Sequence, residues 1–311
     1  MSVNMQILYA LEKLRVPFLE YLFTGISYLG SEVAGAVIVF VILWCVDKRK
    51  GYFILSNVLI GTGINQTIKL AAHVTRPFIA HEDFTVSETA KSTTGGFSFP
   101  SGHTQNSTSL FGSIASSWNK KGIRILCPVM ILLVAFSRLY LGCHYPTDVL
   151  GGFVVGIVVL LLLSFVFGKI DEHPAILSVL YFICGIGMLI VLCVGEFGAW
   201  KDLASGEEMA GMLKGVGMVG GISLGVAVCE PVERKFIRYD TKAVWWAQII
   251  KVAAGFAIMA ALAYVMKYPS AAVFGSRSFA YVPRFFVAVV FGLGVWPMTF
   301  GWFAKLGRKA E

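Results

Sequence analysis

The chain has 311 residues, of which 57% are hydrophobic and only 14% are charged, and its mean hydropathy is +0.74. These proportions exclude an ordinary soluble globular domain and indicate a membrane protein with several spans. The net charge of +8 would favour a nucleic-acid partner in a soluble protein, but the basic residues here fall mainly in short loops between apolar runs, where they orient membrane segments. We therefore expect membrane lipids as partners and no nucleic acid, and the sequence predicts no particular protein partner.

Residues 1–22 are predicted to form an amphipathic helix that lies in the membrane interface and leads into the first span. Apolar residues recur at helical spacing in this segment, at Ile7, Leu8, Leu11, Leu14 and Phe18. Charged residues interrupt the apolar region that a cleaved signal peptide requires, namely Glu12, Lys13, Arg15 and Glu20. An ordinary cytosolic leader without membrane contact is the alternative.

About 20 apolar residues are needed to cross a bilayer, and on that basis the sequence predicts about nine spans. They lie near residues 23–46, 52–72, 101–118, 125–141, 149–168, 175–194, 212–229, 244–266 and 282–303. The predicted fold class is an all-α, polytopic membrane helix bundle. We expect residues 23–170 to form a core that carries the chemistry, and residues 171–311 to supply additional transmembrane helices of unknown role.

Charge separates the loops into two sets. The basic loops contain residues 48–50, 120–124, 169, 234–242 and 305–309, and the alternate loops hold most of the acid, including Glu82, Asp83, Glu88, Glu196 and Asp202. The positive-inside rule makes the basic side cytoplasmic, so the amino terminus is predicted outside and the carboxyl terminus inside. The longest loop, residues 78–99, is named here the lip segment; it is either a lip over the outer surface that gates a lipid or a simple connector.

Small residues suggest packing and little chemistry. The six cysteines lie in or beside apolar segments without paired spacing, so we expect neither a disulfide framework nor a zinc site, and no cofactor. Gly217, Gly221 and Gly225 recur every four residues and predict a close-packing helix face.

The first cluster of chemistry is Lys69 with Arg76-Pro77. Lys69, His73 and Arg76 occupy positions i, i+4 and i+7, so they share a helix face if the helix continues to the break expected before Pro77. Arg76 can then clamp a phosphate with two N–H groups while Lys69 adds a point charge. Two basic residues that reach for lipid headgroups at a helix end are the alternative.

The second cluster, Pro100-Ser101-Gly102-His103, opens a predicted span. A helix that begins here directs free backbone N–H groups outward, and Gly102 permits an anion to approach closely. Ser101 suits an N-cap or a phosphate contact, and His103 can stand beside a leaving oxygen. A simple helix start is the alternative.

The third cluster is Ser137-Arg138 with His144 and Asp148. A helical segment would put His144 and Asp148 on one face, where the carboxylate fixes the imidazole tautomer. Tyr145-Pro146 argues against a continuous helix, so the pairing depends on tertiary geometry. A histidine that is merely satisfied by a nearby carboxylate is the alternative.

In order and spacing, the three clusters resemble the tripartite signature of the type-2 phosphatidic acid phosphatase superfamily: Lys followed by Arg-Pro, then PSGH, then Ser-Arg followed by His and Asp. The defining positions are filled between Lys69 and Asp148. The resemblance implies a helical membrane phosphatase in which His144 is the nucleophile that forms a phosphohistidine, Asp148 orients it and His103 is the general acid. The phosphoryl oxygens would be bound by Lys69, Arg76, Ser101, Gly102 and Arg138. The layout of spans also resembles that of glucose-6-phosphatase and of sphingoid-phosphate phosphatases.

The expected function is metal-independent hydrolysis of a lipid phosphate or diphosphate at the outer face of a bacterial cell membrane. Candidate substrates are undecaprenyl diphosphate, slightly ahead of phosphatidate, phosphatidylglycerol phosphate and sphingoid phosphates. Transfer of the phosphate to another lipid, a phosphate pocket that binds or moves lipids without turnover, and a soluble sugar phosphate as substrate remain alternatives. The pair of His103 and His144 favours an enzyme, because phosphate binding alone needs cations and no nucleophile.

Overall fold

The computed structural model describes residues 2–198, 200, 206–274 and 278–306, except for the side chains of Ser92 and Glu207. Helices are the only regular elements in these residues, as the all-α prediction requires. They are α1 (Val3–Glu12), α2 (Pro17–Tyr28), α3 (Glu32–Cys45), α4 (Lys48–Ala72), α5 (Pro77–Ala80), α6 (Gly102–Ser117), α7 (Lys121–Tyr140), α8 (Pro146–Gly168), α9 (Ala175–Phe197), α10 (Gly206–Val232), α11 (Trp245–Val265), α12 (Lys267–Phe274), α13 (Tyr281–Val290) and α14 (Phe300–Lys305). Shorter turns of 3₁₀ helix occur at Glu88–Thr93 and Trp296–Thr299, and of π helix at Glu233–Ile237 and Phe291–Val295.

Each predicted span falls on helical structure, but the count of nine is not confirmed. Six helical segments in the described residues are long and apolar enough to cross a membrane: α7, α8, α9, α10 with its π turn, α11 with α12, and the stretch Tyr281–Lys305. Helices α2 and α3 pass the same criterion together, as a pair bent by 47°. Helices α4 and α6 do not, because both carry many polar side chains and α6 has only 16 residues.

The chain forms two compact units, each assembled from separate stretches of sequence. One unit, named here the motif unit, comprises residues 1–36, 56–164 and 197–212, and the other, the second unit, comprises residues 37–55, 165–196 and 213–311. All three sequence clusters belong to the motif unit. The division that the sequence suggested, at residues 22 and 170, stays a prediction.

Within the second unit, the predicted glycine face of α10 is confirmed. A Cβ atom at Gly217 would lie 2.6 Å from the carbonyl oxygen of Ser278, and one at Gly225 would lie 3.0 Å from Val289, so α10 packs closely against α13. Lys251 of α11 is fully buried and donates to the carbonyl oxygen of Trp44 at 2.8 Å, with its ammonium over the Phe300 ring. This lysine therefore has a structural explanation.

Two glycines of the motif unit let its helices approach the start of α6. A Cβ atom at Gly30, in the break between α2 and α3, would lie 2.7 Å from the carbonyl oxygen of His103. One at Gly152 of α8 would collide with the carbonyl oxygen of Ser101. These close approaches fix the amino-terminal end of α6 between neighbouring backbones.

The amino-terminal segment also belongs to the motif unit. Met5 and Leu8 of α1 are buried against Phe84 of the lip segment, whereas Val3 remains 70% exposed. The lip segment contains all of α5 except Pro77 and also a 3₁₀ turn, and its Val86 and Ala90 are buried against Tyr140. Helix α1 therefore packs on the lip segment through its apolar face.

Candidate active site

The backbone between Lys69 and Arg76, in the first cluster, differs from the predicted continuous helix. Helix α4 ends at Ala72 and His73 takes a left-handed conformation with φ of +50°, so Lys69, His73 and Arg76 do not share a helix face and that expectation was wrong. A positive φ at a helix end is usual for glycine, because a Cβ atom is disfavoured there. His73 instead packs its ring on Phe97 of the lip segment, at 4.7 Å between ring centroids.

Lys69 and Arg76 are both buried, and both bind backbone carbonyl groups of the lip segment. The Lys69 Nζ donates to the carbonyl oxygen of Phe97 at 2.7 Å. The Arg76 Nε donates to Gly96 at 2.8 Å, and its Nη2 donates to Gly95 at 2.7 Å. Such buried, bonded side chains do not reach for headgroups, which disfavours the alternative of simple membrane anchoring.

The second cluster forms the expected helix start. Ser101 is the N-cap of α6, and its Oγ accepts hydrogen bonds from the backbone N–H of Thr104 at 3.5 Å and from the Thr104 hydroxyl at 3.0 Å. Gly102 and His103 are the first two residues of the helix. The Nε2 atom of His103 is buried without a hydrogen-bond partner in the described protein, and such an atom is available for a ligand.

Arg138 approaches from the last turn of α7. Its side chain is fully buried, and Nη1 donates to Ser27 Oγ at 2.6 Å and to Thr93 Oγ1 at 3.2 Å. The Nε and Nη2 atoms are buried and have no acceptor in the described residues. A guanidinium with two unused donor nitrogens is suited to bind an anion bidentately.

His144 and Asp148 meet across the turn between α7 and α8. The His144 Nδ1 lies 3.4 Å from Asp148 Oδ2, and both side chains are buried. The same oxygen accepts from the Ser98 hydroxyl at 2.5 Å and from the Tyr145 backbone N–H at 2.8 Å. Asp148 is therefore held in place, and it can keep the Nδ1 of His144 protonated, which leaves Nε2 as the basic nitrogen.

The opposite edge of the His144 ring faces a cation. Arg76 Nη1 lies 3.3 Å from His144 Nε2 and also donates to the carbonyl oxygen of Cys143 at 2.9 Å. Burial lowers the pKa of His144 well below its ordinary value, and the charges of Arg76, Lys69 and Arg138 lower it further. Burial also lowers the pKa of Arg76, to about 10, which leaves it charged at neutral pH. The site therefore pairs a neutral imidazole with fixed positive charge.

Sequence reasoning missed the residues that support these side chains. Ser98 binds both Asp148 and, at 3.4 Å, His144 Nδ1. Ser27 and Thr93 bind Arg138. Ser98 stands two residues before the PSGH cluster, and that proximity was a usable signal, whereas nothing in the sequence singles out Ser27 or Thr93.

The chemistry of the donor set fits a phosphate better than a metal ion. Lys69, Arg76 and Arg138 supply three buried cations, and Asp148 supplies one carboxylate that three donors already occupy. Within the described ranges, no group of three or more His, Cys, Asp or Glu side chains could hold a metal. Buried positive charge beside a helix amino terminus is the arrangement by which proteins bind phosphate.

The chain is similar to several known proteins. Residues 50–171 match the family model described as the PAP2 superfamily. Phosphatidylglycerophosphatase B of Bacillus subtilis (strain 168) is 35% identical over 175 residues, which cover 51% of this chain and 78% of that protein. Undecaprenyl-diphosphatase BcrC of the same organism is 38% identical over 99 residues, which cover 32% of this chain and 48% of that protein.

A solved structure is also similar. It is described as the crystal structure of the first transmembrane PAP2 type phosphatidylglycerolphosphate phosphatase from Bacillus subtilis. The sequence identity is 28%, the match covers 55% of this chain and 87% of that chain, and the TM-score is 0.43.

Proposed function

The chain belongs to the PAP2 superfamily and is an integral membrane phosphatase; we propose that it hydrolyses a lipid phosphate at the outer membrane face through a phosphohistidine on His144. The observation that carries the proposal is the environment of His144. Its Nδ1 faces Asp148 and its Nε2 faces Arg76, so a phosphoryl group attacked by Nε2 is at once in contact with a cation.

Binding of the phosphate precedes the chemistry. Arg138 Nε and Nη2 are buried donors with no acceptor in the described protein, and they take phosphoryl oxygens together with the backbone N–H groups at the start of α6. Lys69 and Arg76 donate hydrogen bonds to the lip segment, and they also add positive charge to the site. Charge on the equatorial oxygens is what phosphoryl transfer requires the protein to stabilise.

The first chemical step forms a bond between His144 Nε2 and phosphorus and breaks the bond from phosphorus to the lipid oxygen. His103 gives its proton to that leaving oxygen. The phosphohistidine carries a positive charge on its imidazole ring. The carboxylate of Asp148, which faces the Nδ1–H of His144, stabilises that charge, as the carboxylate does in other His–Asp pairs.

The second step is hydrolysis of the phosphohistidine. His103, now neutral, takes a proton from a water molecule, and the water oxygen attacks phosphorus from the side that the lipid has left. The bond between phosphorus and Nε2 breaks, inorganic phosphate leaves, and His144 returns to its neutral state. Three cations and a helix terminus supply the charge stabilisation, so we propose that the reaction needs no metal ion.

The substrate we propose is a lipid with a single phosphate group. Three donor groups of Arg76 are already bonded to the carbonyl oxygens of Gly95, Gly96 and Cys143, and Lys69 is bonded to Phe97. Arg138 offers two buried nitrogens without an acceptor, Nε and Nη2, which match one phosphoryl group. The relative with the longer match is named for a phosphatidylglycerophosphate, which agrees with a phosphate monoester, so we propose phosphatidylglycerol phosphate as a better substrate than undecaprenyl diphosphate.

Phosphate release by the purified protein, assayed in the presence of EDTA, tests the proposal. Phosphatidylglycerol phosphate, a short-chain analogue, undecaprenyl diphosphate and glucose 6-phosphate are compared by kcat/KM in one detergent. We expect the long-chain monophosphate to be the best substrate, because tail burial contributes about 0.8 kcal/mol per methylene. A glucose 6-phosphate value that equals the lipid values would refute lipid specificity, and loss of activity in EDTA that magnesium restores would refute the metal-free mechanism.

A further inference from the structure

Arg15 lies in the link between α1 and α2, far along the chain from the three sequence clusters, and its side chain is buried. Its side chain is only 8% exposed. The Nε atom donates to the carbonyl oxygen of Tyr140 at 2.8 Å, and Nη1 donates to the carbonyl oxygen of Thr85 at 2.7 Å. The guanidinium also lies over the Phe84 ring, 5.2 Å from its centroid. Arg15 therefore ties the amino-terminal segment to both the lip segment and the end of α7.

The bond to Tyr140 is made where a helix end needs it. Tyr140 is the last residue of α7, and the terminal carbonyl groups of a helix have no partner within the helix. A cation at this end also interacts favourably with the helix dipole. Arg15 thus caps the carboxyl end of α7, the helix that carries Arg138. The capped residue, Tyr140, precedes His144 by four residues.

Three segments from outside hold the turn that leads to His144. The Tyr140 carbonyl accepts from Arg15, the Leu141 carbonyl accepts from the backbone N–H of Ser87 at 3.0 Å, and the Cys143 carbonyl accepts from Arg76. The Tyr140 hydroxyl adds a second link to the amino-terminal segment, because it donates to the carbonyl oxygen of Leu14 at 2.8 Å and accepts from the Val16 N–H at 3.2 Å.

The absence of a side chain at Gly142 lets the Arg15 guanidinium lie close to the turn. Its φ is +76°, and a Cβ atom there would lie 2.5 Å from Arg15 Nη2 and 2.8 Å from the carbonyl oxygen of Thr85. The guanidinium therefore rests directly on the backbone of the turn. A headgroup anchor would keep its charge exposed at the membrane surface, and Arg15 does the opposite.

We propose that Arg15 is a positioning residue for the phosphatase reaction: it fixes the turn that presents His144, so the amino-terminal segment is a working part of the active site. The inference rests on the proposed role of His144. Misplacement of a reacting group by about 1 Å can cost about 100-fold in rate. Loss of this tie should therefore act on turnover more than on binding, because Lys69 and Arg138 do not depend on Arg15 for their contacts.

Arg15→Gln tests this in the full-length protein, with phosphatidylglycerol phosphate as substrate. We expect kcat to fall about 10- to 100-fold while KM stays within about threefold, and the rate of 32P labelling of His144 in rapid-quench experiments to fall by the same factor as kcat. Arg15→Lys, which keeps one donor and the charge, should recover part of the loss. Tyr140→Phe, which removes the second link, should also lower kcat, and its combination with Arg15→Gln should lose less than the product of the single effects.

Lys13→Gln is the matched control, because Lys13 is an exposed residue of the same segment and its loss removes the same charge; it should leave kcat unchanged. All values are compared at equal amounts of folded protein, judged by size-exclusion chromatography. An Arg15→Gln protein with wild-type kcat would overturn the inference, as would a loss confined to KM or a loss matched by Lys13→Gln. If the wild-type protein releases no phosphate from any lipid, the proposed function fails instead.

Discussion

At the scale of single residues, the two nitrogens of His144 have separate surroundings. Nδ1 faces the carboxylate of Asp148, and Nε2 faces Arg76 Nη1. The carboxylate at Nδ1 raises the electron density of the ring and so the nucleophilicity of Nε2, while the cation keeps Nε2 free of a proton. His103 differs, because its Nε2 has no partner in the described protein. The two histidines are therefore suited to different roles.

His144→Ala should abolish turnover while vanadate still binds, because the cations that recognise a phosphate analogue remain in place. Turnover is measured by phosphate release, and vanadate binding by calorimetry on the same preparation. His103→Ala is the companion variant, and it should harm poor leaving groups more than aryl phosphates. Substantial turnover by His144→Ala would exclude His144 as the nucleophile.

The acid side of the pH profile should report His144. Burial and the nearby cations lower its pKa in the folded protein, so the neutral, nucleophilic form persists as the pH falls below the ordinary histidine value of about 6.5. On the acid side, we therefore expect the fall of kcat/KM, corrected for ionisation of the substrate, to begin only well below pH 6.5. A decline centred at or above pH 6.5 would contradict a neutral, depressed His144.

At the scale of elements, the start of α6 is set by its neighbours. Ser101 caps the helix, and its backbone N–H donates to the carbonyl oxygen of Asp148 at 2.9 Å, which joins the second cluster to the third. Gly152 of α8 packs against the carbonyl oxygen of Ser101. The anion-binding end of one helix is therefore held by the helix that carries Asp148.

Gly152→Ala should displace this helix start. The new Cβ would collide with the Ser101 carbonyl oxygen and lie 3.2 Å from both Gln105 N and Thr104 Cβ. Overpacking of this kind costs about 1–3 kcal/mol of stability, and we expect a lower Tm and at least a tenfold loss of kcat. Gly168→Ala, at the last residue of α8 where no atom lies within 4 Å of the new Cβ, should leave both unchanged. Equal Tm and kcat values for the two variants would refute this account of α6.

At the scale of the whole molecule, the charge of the loops predicts the orientation. The basic loops alternate with loops that hold most of the acid, and the three clusters fall beside the acidic set. If the basic loops are cytoplasmic, the phosphate site opens at the outer leaflet, where the phosphate of a lipid already lies at headgroup depth.

Single cysteines introduced in a background without the six native cysteines test the orientation. Glu82→Cys lies in the lip segment and Lys120→Cys lies in a basic loop, and both positions are exposed. In intact cells we expect an impermeant maleimide to label Glu82→Cys and not Lys120→Cys, while permeabilised cells label both. The reverse pattern would place the active site in the cytoplasm.

The sequence by itself determined the protein class and most of the groups that meet in the site. Hydropathy set the all-α membrane fold, because the bilayer requires backbone groups to be satisfied within helices. Residue type and order predicted six side chains of the candidate site, since ionisable side chains between apolar spans are costly and so stand out. They are Lys69, Arg76, His103, Arg138, His144 and Asp148. The contact of His144 with Asp148 was left to tertiary geometry, because Tyr145-Pro146 argues against a continuous helix and α8 begins only at Pro146.

Only the tertiary structure decided how these groups are supported. His73 does not lie on the predicted helix face, because α4 ends at Ala72. In the folded chain Ser98 contacts Asp148, and Arg15 contacts Tyr140. Arg15 and Tyr140 are 125 positions apart in the chain. Helical periodicity relates residues only within a few turns, so a contact between distant segments depends on the path of the whole chain, and composition and spacing contain no record of that path.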